Sequence, residues 1–546
     1  MSTIKKVIMG DEARLGLLKG MEVVAKTVGA TAGAAGRNVA IANQWGQPSL
    51  TKDGYKTSKS IDLSGIEEEG VKLIQQAAEK QNSEAGDATT LVTTLTYELA
   101  KEGVKLMEKG CNATQLKRGI EEAAKDLVTY LKELSKPITT NDEVRQVATI
   151  SANGDEVIGG LIAEAVEKVG KTGVITAEDS KDFNTTLEVA EGLQFDQGYL
   201  SPYFANNPEK MIAEYDNPKI FITDYKINSL KQILPMLEEV CGKGMPLIII
   251  SDELSQEALA AIVVNHIQGR ISCCAVKAPS FGDFRTLELE DIAILTGGKF
   301  ISEKMGISLE KVDATALGSC KKIKIYPNKT VIIGGLGSKE ELDKRVDDLQ
   351  KELSNTESKY DKEKLQERIA KLTGGIGVIK VGGASEVEIN EKKDRVDDAI
   401  CSTKSALEEG ILPGGGVALV RAYQKTLEGN KTVQNADVAR GYNLMRQAVL
   451  KQIVNLANNA GVSGDVVLEI VMQQQDKNIG YNLLTGAYED MFKAGIIDAT
   501  KCIRLAVETA ASVAGSLLTT ESVVIPDIDE AIKMSKLMSG NAPAQY

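Results

Sequence analysis

Aromatic side chains are scarce in this sequence, with 14 Tyr, 8 Phe and 1 Trp among 546 residues. Stacking platforms for nucleic-acid bases are therefore poorly supplied, and the cores must be packed with aliphatic and small side chains. Histidine is rarer still. The single His266 removes every multi-histidine metal site, and a Ser-His-Asp triad survives only with that residue as its base. The seven cysteines are scattered, odd in number and free of any CxxC pair. They indicate neither a disulfide framework nor a thiolate zinc site, and they fit a reducing cytoplasm. No apolar run approaches the roughly 18 residues of a spanning helix, and the opening MSTIKKVIMGDEARLG has no signal-peptide core. A soluble, cytoplasmic protein is expected. Positive charge is also in deficit, 64 Lys and Arg against 77 Asp and Glu, for a net charge of -13. Neither nucleic acid nor an anionic membrane is expected as a partner.

What the chain does have is an ordinary globular composition, 42% hydrophobic and 26% charged, and a length that predicts roughly three to four domains. From Asp11 to about Leu134 apolar residues recur at three- and four-residue steps, as in VKLIQQAAEKQN and LVTTLTYELAKEGVKLM, which predicts successive helices. RNVAIANQ ahead of TKDG interrupts them as a strand and turn. A second helix-rich block runs from about Leu412 to Ala511. Between about 191 and 375, KIFITD, MPLIII, ISCCAVKA and KTVIIGG read as short buried strands among helices, a separate α/β domain. Within it, Leu342, Val346, Leu349 and Leu353, then Leu365, Ile369 and Leu372, form one stripe of a highly charged helical hairpin turning near Ser354 to Thr356, its charges facing solvent. The two helical blocks fit either two domains or one domain built from both chain ends. The tail SKLMSGNAPAQY reads as a short disordered end.

Several segments have residue types suited to phosphate chemistry. TVGATAGAAGRNV sets Gly29, Gly33 and Gly36 in a loop ahead of a strand, either a phosphate approach or a turn, and it lacks the Lys-Ser/Thr of a Walker A loop. EAGDATTLVTTL opens a helix with Gly86, Asp87, Thr89 and Thr90, where Asp87 is either a helix cap or a magnesium ligand. Gly414, Gly415 and Gly416 precede another apolar helix, and DRVDDAIC offers Asp394, Asp397 and Asp398 as acids able to orient an attacking water. SQEALAAIVVNHI and KINSLKQILPMLEEV are helices apolar over more arc than one core face needs, so each is buried or offers a patch to partners. His266, beside the first, reads as structural rather than catalytic.

Taken in order, the strings GRNV, TKDG, AGDATT, LKRGIE, TISAN, EGLQFDQGYLSPYF, AVKAPSFGD, DIAILTGG, YDKEKLQERIAKLTGG, RVDDAI, PGGGVAL and IIDATK resemble a group I chaperonin of the GroEL type, from about residue 4 to 525. The resemblance implies a multidomain α and α/β fold. Residues 1–135 and 409–546 would form a helical equatorial domain built from both chain ends, 136–190 and 376–408 an intermediate domain, and 191–375 an inserted apical domain. Hinges would lie at Pro137, Gly410, Gly192 and Gly374.

The same resemblance implies an ATP hydrolase that binds non-native polypeptides and promotes their folding by ATP-driven encapsulation, assembled as a homo-oligomeric, heptameric ring with a co-chaperonin lid as a further partner. Thr31, Ala32, Gly33 and Ala34 would run along the phosphates of ATP, and Asp87 would bind magnesium. Ala88, Thr89, Thr90 and Leu91 would follow at the terminal phosphate. Backbone oxygens of Thr31 and Lys52 and the Thr90 hydroxyl would hold potassium. Gly415, Asn482, Leu483, Leu484 and Asp498 would surround base and ribose, while Asp53 and Asp398 would organise the attacking water. Tyr199, Tyr203, Phe204, Leu234, Leu237, Leu259, Val263 and Val264 would bind polypeptide. This chain departs from the family pattern at Ala34 and Ala35 for Pro-Lys, Ala88 for Gly, Leu91 for Thr, Leu483 and Leu484 for two alanines, and Ala460 for an inter-ring glutamate. The alternative is a passive holdase or scaffold without an ATP-driven cycle.

Overall fold

The structure is a computed structural model that describes residues 5–42, 48–170, 173–180, 182–207, 210–306, 309–356, 358–428 and 434–527. The expected disordered tail lies outside the described residues. Along the chain the helices are α1 (Gly10–Gly29), α2 (Gly54–Lys59), α3 (Ile66–Glu84), α4 (Thr89–Glu108), α5 (Ala113–Leu134), α6 (Asn141–Ser151), α7 (Glu156–Val169), α8 (Leu234–Cys241), α9 (Gln256–Ile267) and α10 (Gly282–Thr296). They continue with α11 (Lys339–Asn355), α12 (Lys359–Thr373), α13 (Glu386–Glu409), α14 (Val417–Glu428), α15 (Ala436–Ala448), α16 (Lys451–Asn459), α17 (Gly464–Gln473) and α18 (Thr500–Leu518). The chain divides into two compact units. One takes Met1–Ala163, Ala177–Thr186 and Val381–Tyr546, the other Glu164–Thr176 and Leu187–Lys380.

In the first unit both ends of the chain share one core. Leu17, Met21, Leu95 and Leu127 from the N-terminal helices pack with Met445, Ala506 and Leu517 from the C-terminal ones. Helix α5 shows why the pattern folds this way: Leu116, Ile120, Ala123, Leu127 and Leu131 fall on one buried stripe, and Asn112 caps its start by accepting the Gln115 N–H over 3.0 Å. Its partner α15 approaches so closely that a Cβ on Gly119 would sit 2.0 Å from the Val438 carbonyl oxygen. The strands Lys5–Met9 and Ser522–Pro526 close the unit as an antiparallel pair.

The second unit is α/β. Its main sheet runs in the order Cys273–Lys277, Leu247–Ser251, Lys219–Thr223, Gly318–Ile325, Thr330–Gly335, Gly192–Phe195, with the first three strands parallel. Every residue of Leu247–Ser251 is buried, as a central parallel strand covered on both faces requires. The charged hairpin is α11 and α12, with Leu342, Leu349, Leu365 and Leu372 inward. Its charge does not all face water. Arg368 makes two bonds of 2.8 and 2.9 Å to Asp291 on α10, and Arg345 Nε reaches the same carboxylate over 2.8 Å. A second departure is at KINSLKQILPMLEEV, which is not one helix but a 3₁₀ turn, Leu230–Gln232, followed by α8. Pro235 lies in the first turn of α8, where a missing N–H costs nothing, whereas a helix running through it from Leu230 would lose a backbone hydrogen bond.

Candidate functional site

All of the acids expected at the nucleotide lie in the first unit, and the local sequence explains how each is held. Asp53 caps α2, accepting the N–H groups of Tyr55 and Lys56 over 2.9 Å each. The next residue must be glycine on steric grounds, since a Cβ on Gly54 would lie 2.6 Å from the Thr90 hydroxyl oxygen and 2.8 Å from that of Thr89. That close approach sets Asp53 beside the N-terminus of α4, where unpaired N–H groups favour an anion. Asp87 stands immediately before this helix. Its Oδ1 accepts the Ala88 N–H, its Oδ2 accepts the Ser151 hydroxyl over 2.9 Å, and its carbonyl accepts from Gln81 Nε2 over 2.6 Å. Ala88 takes a left-handed conformation, φ 63°.

Helix α13 brings in the third acid. Asp394, Asp398, Cys401 and Ser405 recur at the helical repeat and lie on one face. Ser405 donates to the Ala85 carbonyl over 3.2 Å, and a Cβ on Gly86 would sit 2.1 Å from that of Cys401, so α13 rests directly on the segment that carries Asp87. Burial pushes the Asp398 carboxyl well above the ordinary carboxylate range, and Asp53, Asp87, Asp394 and Asp397 add like charge. Asp53 is raised mainly by burial, against its two backbone hydrogen bonds and with Asp394 as a further like charge. Asp498, opposite Leu412 in the pair Ile411–Pro413 and Ile497–Ala499, is pushed up to about 7 by burial and by Asp87.

The glycine loop lies in the same unit. Gly33 has φ 77° and faces the Leu456 and Leu483 side chains, while Asn459 Nδ2 donates to the carbonyls of Gly29 and Ala32 over 2.9 and 3.1 Å. Thr31 and Ala32 are buried and Ala34 is exposed. Gly415, φ 65°, follows Ile411–Pro413. Asn482 sits in the hairpin Ile479–Asn482 and Ala487–Asp490, a feature the helix-rich reading of this block had no place for. Its Oδ1 accepts the Leu484 N–H over 2.9 Å and its Nδ2 donates to Glu489 over 2.7 Å, so its amide shapes the turn. Leu484 is exposed, and Leu91 is buried in the helical core.

The donor set has a definite chemistry. Among the described residues no three His, Cys, Asp or Glu side chains converge as a closed metal cage. Magnesium needs no such cage, because one or two carboxylates suffice when phosphate oxygens and water complete its shell. The carboxylates of Asp53, Asp87, Asp398 and Asp498 fit a divalent cation with a polyphosphate. Ser151 and Asn459 were not singled out from the sequence. The TISAN string contains the first and the second directly precedes Ala460, but only the fold puts a hydroxyl on Asp87 and an amide on the glycine loop.

In the second unit the expected polypeptide-binding residues separate by exposure. Tyr203, Leu234 and Val264 are exposed at 68%, 39% and 51%, whereas Phe204 and Leu237 are core residues. Tyr199, Leu259 and Val263 are partly buried against that core. Ile267, from the same apolar run, is 60% exposed and extends the set. The segment Pro202–Phe204 packs on α9, with the Phe204 and His266 rings edge to face at 5.6 Å.

A fold that joins both chain ends into one helical unit, bears acids at a helix N-terminus and inserts an α/β unit defines a chaperonin. The sequence model of the TCP-1/cpn60 chaperonin family matches residues 24–527, and the chain belongs to that family. Its structure is similar to that of the chaperonin gp146 from the bacteriophage EL 2 (Pseudomonas aeruginosa), crystallised in the presence of ATP-BeFx. The two share 23% identity and a TM-score of 0.69, over 95% of this chain and 99% of that one. Among the described residues no helix is long and apolar enough to cross a membrane.

Proposed function

We propose that this chaperonin is an ATP hydrolase that binds non-native polypeptides and drives their encapsulation and release. The observation that supports this reading is Asp398, half-buried on α13 among Asp53 and Asp87 beside the N-terminus of α4. Asp53 and Asp398 orient and deprotonate the attacking water, a role that suits carboxyls held at raised pKa. Asp87 holds magnesium, which supplies charge neutralisation at the phosphates. Backbone oxygens of Thr31 and Lys52 with the Thr90 hydroxyl are an oxygen-only set suited to potassium. Residues 1–135 and 409–546 act as the equatorial domain, 136–190 and 376–408 as the intermediate domain, and 191–375 as the apical domain. The protein works in the cytoplasm as a heptameric ring, with a co-chaperonin as lid.

Tyr203, Leu234, Val264 and Ile267 supply apolar area for clients of any sequence, since burial of such area is non-directional. Nucleotide drives release only by binding one domain arrangement better than another. Asp398→Ala is expected to leave ATP binding unchanged and to slow phosphate release at least about a hundredfold; equal turnover in the variant refutes the role.

A second reading, a passive holdase, is favoured by Ala34 and Ala35, which bring no cation to the glycine loop. Refolding of a denatured client separates the two. The ATPase reading expects recovery with ATP and not with ADP, and a holdase protects equally with either.

A further inference from the structure

Lys56 touches one of the two proposed water-organising acids with its main chain and the helix bearing the other with its side chain. Its N–H donates to Asp53 Oδ2 over 2.9 Å, and its Nζ meets Asp394 Oδ2 at 3.3 Å. Asp394 precedes Asp398 by one helical turn on the same face of α13. The pair is well sheltered, with the Lys56 side chain 33% and the Asp394 side chain 19% exposed. Asp53, Asp87 and Asp397 all add like charge to Asp398, so a cation in the contact relieves repulsion between α13 and the Asp87 loop. On α13 itself Lys392 pairs with Glu388, Lys393 with Asp179, and Arg395 with Glu391 and Asp155.

We propose that the Lys56–Asp394 ion pair is a latch that holds α13 against the nucleotide loop and sets the spacing between Asp53 and Asp398. Lys56 and Asp394 are positioning residues, and neither touches the reacting atoms. The latch rests on the ATPase reading above for its purpose, but its closure is a property of the nucleotide-free chain. Because the pair bridges α2 and α13, losing either partner releases the same contact. A purely electrostatic influence behaves otherwise: removing Lys56 leaves the acids more repelled, and removing Asp394 leaves them less so.

The test compares the full-length Lys56→Met, Asp394→Asn, the double variant and the charge-exchanged Lys56→Asp/Asp394→Lys. Two measurements are made on each. The first is turnover of magnesium-ATP, separated into kcat and KM. The second is hydrogen exchange of the amides in 85–90 and 396–405 in nucleotide-free protein. A latch predicts that both single variants lower kcat about threefold to tenfold, keep KM within about twofold, and exchange faster in both segments. The double variant should match the singles, and the charge exchange should restore at least half of kcat and of the protection. Opposite shifts in the two single variants, or unchanged exchange in both, overturn it. Should the wild-type protein hydrolyse no ATP, the ATPase reading falls and the exchange data alone decide the latch.

Discussion

Ser151, the last residue of α6, donates its hydroxyl to Asp87 Oδ2 over 2.9 Å and so leaves Oδ1 on the Ala88 N–H. A carboxylate held at both oxygens presents its remaining lone pairs in fixed directions, which is the usual way outer groups tune a metal ligand. Ser151→Ala should weaken magnesium-dependent nucleotide binding about tenfold, by titration calorimetry, while magnesium-free binding changes little. Equal losses with and without magnesium would show that the hydroxyl acts only on the fold.

Ala88 carries a backbone conformation that suits glycine, with φ 63° at the start of α4. A Cβ in the left-handed region costs on the order of 1 kcal/mol. Ala88→Gly should therefore raise stability by about 1 kcal/mol less the extra chain entropy of glycine, read from the urea midpoint. A variant less stable than the parent would show that the Ala88 methyl group packs favourably.

The contribution of Asp498 to the stability of the nucleotide-free protein should fall as pH rises from about 4 to about 7. Its folded-state pKa is raised to about 7, so the folded state holds the proton over that window and the unfolded state does not. The stabilisation is complete below the unfolded pKa and lost as pH passes the folded one. Asp498→Asn should flatten the curve by on the order of 2 kcal/mol, a figure reduced because the residue is only half-buried. Thermal melts at pH 5 and pH 7.5 measure it, and parallel parent and variant curves would contradict it.

Asp291 and Arg368 are each 3% exposed, and Arg345 shares the carboxylate, so removing Asp291 strands the buried Arg368 charge. Asp291→Ala should cost about 3–5 kcal/mol in the α/β unit, and replacing Asp291, Arg345 and Arg368 together with apolar residues of similar size should cost much less. Chemical unfolding followed by a probe in residues 191–375 separates the two outcomes.

Much of this architecture is legible in the sequence because periodicity and burial coincide. The stripe of α5, the all-apolar strand Leu247–Ser251 and the leucines of α11 and α12 each read directly from spacing. Asp87 ahead of a threonine-opened helix reads the same way, as a small acid at an N-terminus. What does not read is whatever depends on a partner distant in the chain. Arg345 and Arg368 look like two more charges on a solvated face, and nothing nearby reveals that Asp291 waits beneath them. Ser151 and Asn459 are ordinary polar residues until α6 and α16 are placed. Tyr203 and Phe204 are adjacent and chemically alike, yet one is 68% exposed and the other fully buried, a difference set by α9 and not by either residue type.

The C-terminal end of α13 is clamped by Arg504, whose guanidinium makes two bonds of 2.9 and 2.6 Å to Glu409, and by Lys501 on Glu408 at 2.7 Å. With its far end pinned, the helix is a lever arm. At about 1.5 Å of rise per residue Asp398 stands roughly 16 Å from that fulcrum, so a tilt of about 10° carries its carboxylate by about 3 Å. That travel equals one hydrogen-bond length, so under the role proposed above for Asp398 a small tilt of α13 would be enough to connect the acid to a water molecule or disconnect it.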